Sequence, residues 1–424
     1  MQWSSRVMLR LLIVNILDRE EKIMDEQITT LASLTIDGKG SYGIGASAVP
    51  FSKDLYTYLR ITDIKDDGTL NLQDLKSVDD EKASEYLLKP NDIVFARTGA
   101  STGRNYFYDG TDGEFVYAGF LIKFSIDKKK VNPKYIKYFC QSKQYKDWIN
   151  SFNTGSTRGN INAQTLGKMP IPLIERKTQD ALVCILSSID EKIKKNNEIN
   201  NNLQQQIQTL FADWILTNRQ SATEVALSEV CIKVTDGSHF SPKDDPASYI
   251  PMLSVKDMRE FDFDFTSCKH ICEEDYEKMV ANDCVPQVND ILVAKDGSYL
   301  KEIFICNEQR KIAILSSIAI FRPDTTIIHP EILLAFFKSP HVLREVRDNY
   351  VSGSALPRIV LKDFKKLTFA LPNMDVQNQI APLFASVREQ IAVNVAENKY
   401  LAQLRDTLLS KLMSGEISVD SIRL

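Results

Sequence analysis

The chain has 424 residues, 43% of them hydrophobic and 25% charged, with only 17 glycines and 15 prolines. This composition excludes collagen-like and linker-rich chains and long disordered tracts, and it suggests two or three domains. The formal net charge of −4 argues against a protein that coats nucleic acid by bulk electrostatics. A local basic face stays open, because 52 Lys and Arg nearly balance 56 Asp and Glu.

From the N-terminus, Val7–Leu17 looks like a short signal h-region behind Arg6. Arg10 and Asn15 interrupt it, and charged residues 18–22 follow where a small-residue cleavage site would stand. It is too short to span a bilayer. Residues 1–23 therefore read as an upstream extension, with Met24 as an alternative start and a cytoplasmic location expected.

Next come short apolar or alternating runs bounded by Gly, Asp and Asn, the pattern of β-strands. Asp92-Ile-Val-Phe-Ala96 is one, and Phe115–Ile126 reads as another, longer one. Pro133–Cys140 reads as a short helix with proline at its start. A long helix follows, with apolar residues at Leu182, Leu186, Ile189, Ile193, Leu203, Ile207, Leu210 and Trp214. The gap in this heptad seam falls on Asn196 and Asn200. The second half has the same order: strands such as Ala313–Phe321, a short helix at Pro330–Lys338, and a second long helix.

The halves are copies of one pattern. Asn91-Asp-Ile-Val-Phe-Ala-Arg97-Thr-Gly99 aligns with Asn289-Asp-Ile-Leu-Val-Ala-Lys295-Asp-Gly297, 198 positions later. Gly155-Ser156 aligns with Gly353-Ser354, and Gln179 with Gln377, at the same offset. The period is far too long for a solenoid and is that of a domain plus a connector, so a tandem duplication is expected. In the second helix the offset yields Ile380, Phe384, Val387, Ile391, Asn394, Asn398, Leu401, Arg405, Leu408 and Leu412. Two equivalent halves related by a pseudo-two-fold axis place these helices antiparallel. Centred pairing then sets Asn196 against Asn398 and Asn200 against Asn394. Buried asparagines cost stability and fix register, so these four are assigned that role; a solvated mid-helix stretch is the bland alternative. Arg405 breaks the second seam, and a partner subunit is expected to receive it in place of the first helix. Roughly 35 helical residues at about 1.5 Å each give a ruler of about 50 Å, equal to about 15 base pairs.

The search for catalytic constellations is negative. There is no phosphate loop: Gly99-Ala-Ser-Thr-Gly103-Arg lacks the lysine and the spacing. No Asn-Pro-Pro-Tyr, nuclease or Gly-x-Ser-x-Gly pattern is present, and Gly43-Ile-Gly45 is too short to hold a cofactor. The closest cysteine cluster, Cys268-Lys-His270-Ile-Cys272, has no zinc-finger spacing, and His239, His270, His329 and His341 show no metal spacing. No catalytic, cofactor-binding or metal-ligating residue is assigned.

The loops after the repeated strands are more informative. The first carries Arg97, Thr98, Ser101, Thr102 and Arg104; its counterpart carries Lys295, Ser298, Tyr299 and Lys301. A second loop holds Ser156, Thr157 and Arg158, matched by Ser354 and Arg358. Basic, hydroxyl and glycine residues are the groups that meet phosphates and base edges. Each loop alone is an ordinary solvated turn; two per half at duplicated positions favour a DNA-binding face. Lys123, Lys128–Lys130, Lys134, Lys137, Lys143 and Lys146 are available to extend it.

Together these features resemble the DNA specificity subunits of type I restriction-modification systems. The resemblance rests on the duplicated Asn-Asp-Ile strand-loop, the Gly-Ser turn, the helix entry Gln179–Ile193 and the ending Leu404–Ile417, and it spans about residues 28 to 420. It implies two α/β (α+β) target-recognition domains separated by two long helices packed as an antiparallel intramolecular coiled coil. The division would be an extension at 1–23, recognition domains at 24–176 and 220–374, helices at 177–219 and 375–416, and a tail at 417–424. It also implies a non-catalytic subunit that reads a bipartite site in double-stranded DNA. Two modification subunits would bind S-adenosylmethionine and methylate adenine, and restriction subunits would use ATP and Mg. A two-domain coiled-coil scaffold that binds protein instead of DNA is the alternative.

Overall fold

A computed structural model describes residues 27–72, 74–152, 160–297, 299–352 and 357–419. The chain forms two compact units, Met1–Ile193 with Tyr400–Leu424, and Lys194–Lys399. The extension at 1–23 lies outside the described residues.

In the first unit the strands are β1 (Gln27–Thr30), β2 (Ser41–Tyr42), β3 (Ala48–Pro50), β4 (Tyr56–Leu59), β5 (Lys76–Val78), β6 (Asp92–Ala96), β7 (Asn105–Tyr108), β8 (Phe115–Tyr117), β9 (Leu121–Ser125) and β10 (Pro170–Leu173). One sheet has the order β2-β9-β6-β7, another β3-β5-β4-β8, and β1 pairs with β10. The core strand β6 is buried along its whole length, as the apolar run Ile93–Ala96 requires, with the Asp92 carboxylate buried at its start.

The second unit repeats this plan. Its strands are β11 (Thr223–Ala226), β12 (Cys231–Asp236), β13 (Ile250–Leu253), β14 (Lys269–Ile271), β15 (Ile291–Ala294), β16 (Ile303–Ile305), β17 (Ala313–Ile314), β18 (Ile318–Pro323), β19 (Val351–Ser352), β20 (Arg358–Ile359) and β21 (Thr368–Leu371). The sheets run β12-β18-β15-β16 and β14-β13-β17, and β11 pairs with β21. In both units a parallel strand pairing is present, β4 with β8 and β13 with β17.

Two apolar runs that read as single strands are each two. Phe115–Ile126 breaks at residues 118–120, and Ala313–Phe321 breaks at 315–317. The Leu121 amide donates to the Ala118 carbonyl, and the Ile318 amide to Leu315. These turns carry the chain from one sheet to the next, so both sides of the run are buried and the hydrophobic pattern shows no break. Gly43 and Gly237 sit against these crossings: a Cβ at either would strike the carbonyls of Tyr117 and Ala118, or of Ile314 and Leu315.

The short helices Pro133–Phe139 and Pro330–Phe337 begin at proline. Each is tied to a long helix by the repeated glutamine. Gln179 Oε1 accepts from the Asn132 amide at 2.9 Å, and Gln377 Oε1 from the His329 amide at 3.0 Å. Both glutamines are fully buried and return their amide groups to backbone carbonyls, Ile174 in one unit and Ile327 and Pro372 in the other.

The long helices are Arg176–Thr217 and Met374–Met413. In the first unit Leu182, Leu186 and Ile189 share a core with Leu408, Leu412 and Met413. In the second, Phe211 and Trp214 share one with Ala381 and Phe384, and Ile207 and Ile380 pack against it. Rising numbers on one helix meet falling numbers on the other, so the pairing is antiparallel. The seam departs from strict heptad spacing at one place: Leu210 is exposed and Phe211 takes the core position.

Arg405 does not turn away from the first helix. Its guanidinium donates to Asp190 at 3.0 Å, and Asp190 also accepts from Lys137 at 2.8 Å and from the Tyr138 hydroxyl at 2.9 Å. A cation in the seam is stable here because a carboxylate on the facing helix neutralises it. Burial alone would raise the Asp190 carboxyl, but Lys137 and Arg405 overcome it and hold the group below its ordinary range.

Candidate nucleic-acid interface

The repeated Asn-Asp pair builds the entrance to each loop-bearing strand. Asn91 and Asn289 both adopt left-handed backbone, with φ of 76° and 71°; asparagine tolerates this region better than most residues. The following aspartates cap the turn. Asp92 accepts from the Lys89 amide at 2.8 Å and Asp290 from the Gln287 amide at 2.7 Å. Each is neutralised from the adjacent strand, Asp92 by Lys123 at 3.4 Å and Asp290 by Arg322 at 2.9 and 3.0 Å. Burial pushes the Asp290 carboxyl above its usual value, opposed by Arg322 and the Gln287 amide.

At the far end of each strand the loops close alike. The Gly103 amide donates to Ala96 at 2.9 Å and the Leu300 amide to Ala294 at 2.8 Å. Both donors have positive φ, 88° and 56°. Glycine is needed at 103 because a Cβ would meet the Ile149 side chain at 2.5 Å.

The basic residue after each strand is held by its backbone on two sides. The Arg97 amide donates to Phe120 and its carbonyl accepts from Ile161. The Lys295 amide donates to Ser317 and its carbonyl accepts from Ile359. Thr98 bridges to Asn160, and Asp296 to Arg358. Thus in each half the residue after the basic one meets a residue 62 positions further along the chain, Asn160 or Arg358.

The side chains then diverge. The Arg97 guanidinium lies over the Tyr42 ring at 5.1 Å and near the Phe120 ring at 6.0 Å. Its Nε is buried without a hydrogen-bond partner. Lys295 is buried and paired with Asp236 at 2.5 Å. Arg104 donates to Asp66 through Nε at 2.6 Å and Nη2 at 3.2 Å. The Thr102 hydroxyl donates to the Gly99 carbonyl at 2.8 Å, and Ser101 closes the single helical turn Gly99–Ser101. Tyr299 packs against the core of the second unit, Lys301 lies 3.9 Å from Glu302, and Arg358 is exposed at the start of β20. Ser156, Thr157, Arg158, Ser298 and Ser354 lie outside the described residues. Among the flanking lysines, Lys123, Lys137 and Lys143 are paired with carboxylates, and Lys130 donates to the Thr35 carbonyl. Sequence reasoning missed Tyr42 and Phe120, since nothing local marks either as a neighbour of Arg97.

In the helix pair, Asn196 donates to Asn398 Oδ1 at 2.8 Å and to Glu397 at 2.8 Å. Asn394 donates to Asn200 Oδ1 at 2.7 Å. Asn398 donates in turn to Asn197, and Gln390 to Asn394. Asn196, Asn200 and Asn394 are buried. All of these residues belong to the second unit.

The sequence model of the type I restriction modification DNA specificity domain matches residues 52–205. That span holds the Asn91–Gly99 strand-loop, the first short helix and the front of the first long helix. The MjaIX type I specificity subunit of Methanocaldococcus jannaschii is 22% identical, over 70% of this chain and 72% of its own length. The HindI type I specificity subunit of Haemophilus influenzae is 18% identical, over 78% of this chain and 87% of its own length. Over most of its length the chain is thus similar to type I specificity subunits. A crystal structure of a type I restriction-modification S subunit from M. genitalium shares the fold, with a TM-score of 0.51 over 93% of this chain and 97% of that one, at 16% identity. No group of three or more His, Cys, Asp or Glu among the described residues is arranged to hold a metal. No helix among them is long and apolar enough to cross a membrane.

Proposed function

We propose that this chain is the sequence-recognition subunit of a type I restriction-modification complex. One observation carries the reading: the specificity-domain match over residues 52–205 contains the Asn-Asp-Ile strand-loop, and the same strand-loop, with the same backbone bonds, is built again in the second unit. Two such loop faces suit a bipartite target in double-stranded DNA, one half per unit. The helix pair would set the unread spacer, with the four asparagines holding its register.

In this reading the chain contributes no catalytic group. Two modification subunits dock on it and methylate adenine with S-adenosylmethionine, and restriction subunits add ATP- and Mg-dependent cleavage. The complex works in the cytoplasm, where its DNA is. The mild negative charge fits two confined readout faces, with much of the affinity supplied by partners.

The test is methylation mapping of genomic DNA from cells carrying the intact system, compared with cells lacking this chain. A bipartite methylated motif that vanishes with the chain is expected. Motifs identical in the two strains would sink the proposal.

A further inference from the structure

We infer that Arg97 reads a guanine in the half-site of the first unit, with Tyr42 and Phe120 as its positioning residues, and that the equivalent position of the second unit reads no base. This inference rests on the DNA-recognition reading above.

An arginine aimed at a phosphate needs only charge and reach. Arg97 is restrained far beyond that. Its backbone is bonded on both sides, to Phe120 and to Ile161. Its guanidinium is covered by two aromatic rings that are themselves 43% and 57% exposed, for Tyr42 and Phe120. The Tyr42 hydroxyl is fixed by the Ala163 amide at 3.2 Å. Among the described residues no carboxylate or carbonyl accepts from the Arg97 side chain, and its Nε is already stripped of solvent. A planar fork positioned against two aromatic rings, with no acceptor among the described residues, matches the paired O6 and N7 acceptors of guanine in the major groove. Ordering it in advance lowers the entropy lost on contact. The rings also exclude water from one side of the fork, which strengthens its hydrogen bonds.

The second unit supplies the contrast. Lys295 takes the place of Arg97, since its amide and carbonyl make the corresponding bonds. Asp236, opposite Ala319, stands where Tyr42 stands opposite Ile122. Ser317 stands where Phe120 does, as acceptor of the basic residue's amide. The aromatic clamp is thus replaced by a carboxylate and a hydroxyl, and the Lys295 cation is buried against that carboxylate. Its ammonium is spent on Asp236 at 2.5 Å and its side chain is buried, whereas Arg97 has no acidic partner among the described residues.

The experiment uses the chain assembled with its modification subunits and duplexes carrying the mapped motif. Each guanine is replaced in turn by 7-deazaguanine, which lacks N7. For the wild type, one guanine in one half should weaken binding roughly tenfold to hundredfold when replaced. Arg97→Ala should bind normal and replaced duplexes equally. Arg97→Lys should keep the salt-dependent affinity and weaken the guanine preference, because an ammonium reaches O6 or N7 without the planar bidentate fork. Tyr42→Ala with Phe120→Ala should reduce the preference without abolishing binding. Lys295→Met combined with Asp236→Leu, which removes the buried pair as a whole, should leave the N7 sensitivity of the guanine read by Arg97 unchanged. Sensitivity to N7 that persists in Arg97→Ala would overturn the inference, as would a wild type insensitive at every guanine of its motif. A wild-type complex that binds no motif at all would defeat the DNA-recognition reading itself, and this inference with it.

Discussion

Replacing Asn200 with Ala should destabilise the second unit, and replacing Asn200 and Asn394 together with Leu should return that loss or exceed it. In the wild type the Asn394 amide donates to Asn200 Oδ1 at 2.7 Å, both residues are buried, and Gln390 donates to Asn394 Oδ1. Asn200→Ala strands a buried N–H, at a cost of about 1–3 kcal/mol. The double change to Leu leaves neither amide behind, and each buried Leu side chain contributes about 1.5–3 kcal/mol. The double variant should therefore lie at least about 2 kcal/mol above the single one. Hydrogen exchange of helix amides 194–217 measures this without assuming that the whole chain unfolds in one step. Equal losses in single and double variants would show that the two residues do not act as a pair. The register role has its own readout. With Asn196, Asn200, Asn394 and Asn398 all changed to Leu, slipped pairings become available, and the methylated motif should appear with more than one spacer length. A single unchanged spacer would remove the asparagines from that role.

Further outcomes follow from the same geometry. Lys137 and Arg405 hold the Asp190 carboxyl below its ordinary value. The stability it contributes is therefore present above the unfolded carboxylate range and lost as pH falls through the lower folded value; in acid titrations Asp190→Asn should flatten the first unit's dependence on pH there. Gln377→Leu should cost about 1–3 kcal/mol, read as a lower urea midpoint, because it removes the acceptor of the His329 amide and the donor to the carbonyls of Ile327 and Pro372. Lys295→Met should cost about 3 kcal/mol or more by leaving Asp236 without its cation, and adding Asp236→Leu should recover most of the loss. Gly43→Ala and Gly237→Ala should each cost about 1–3 kcal/mol in thermal melts, since the added methyl meets backbone carbonyls that cannot move aside cheaply.

Much of the fold was legible because the repeat marks residues with strict local duties. Asn91 and Asn289 take left-handed backbone, their aspartates cap the turn three residues back, and Gln179 and Gln377 bind the start of a short helix. Such duties admit few residue types, so both copies keep them. The two long runs that proved to be strand pairs were less legible, because a chain crossing between two buried sheets stays apolar throughout. Leu210 and Phe211 illustrate another limit: adjacent apolar residues leave the helix phase open, and packing against the second unit's core chose Phe211.

The candidate site divides in the same way. Sequence alone determined the duplicated strand-loops and the absence of known catalytic motifs, since each follows from local spacing, and the facing of Asn196 with Asn398 and of Asn200 with Asn394, which follows from the repeat offset and the two-fold relation it implies. Only the tertiary structure decided which cations have free donors. Arg97 finds Tyr42, Lys295 finds Asp236, Arg104 finds Asp66 and Arg405 finds Asp190, across 38 to 215 positions of chain. A charge is kept or cancelled by neighbours within a few ångströms, and the pattern of one segment carries no record of the distant segment that supplies them.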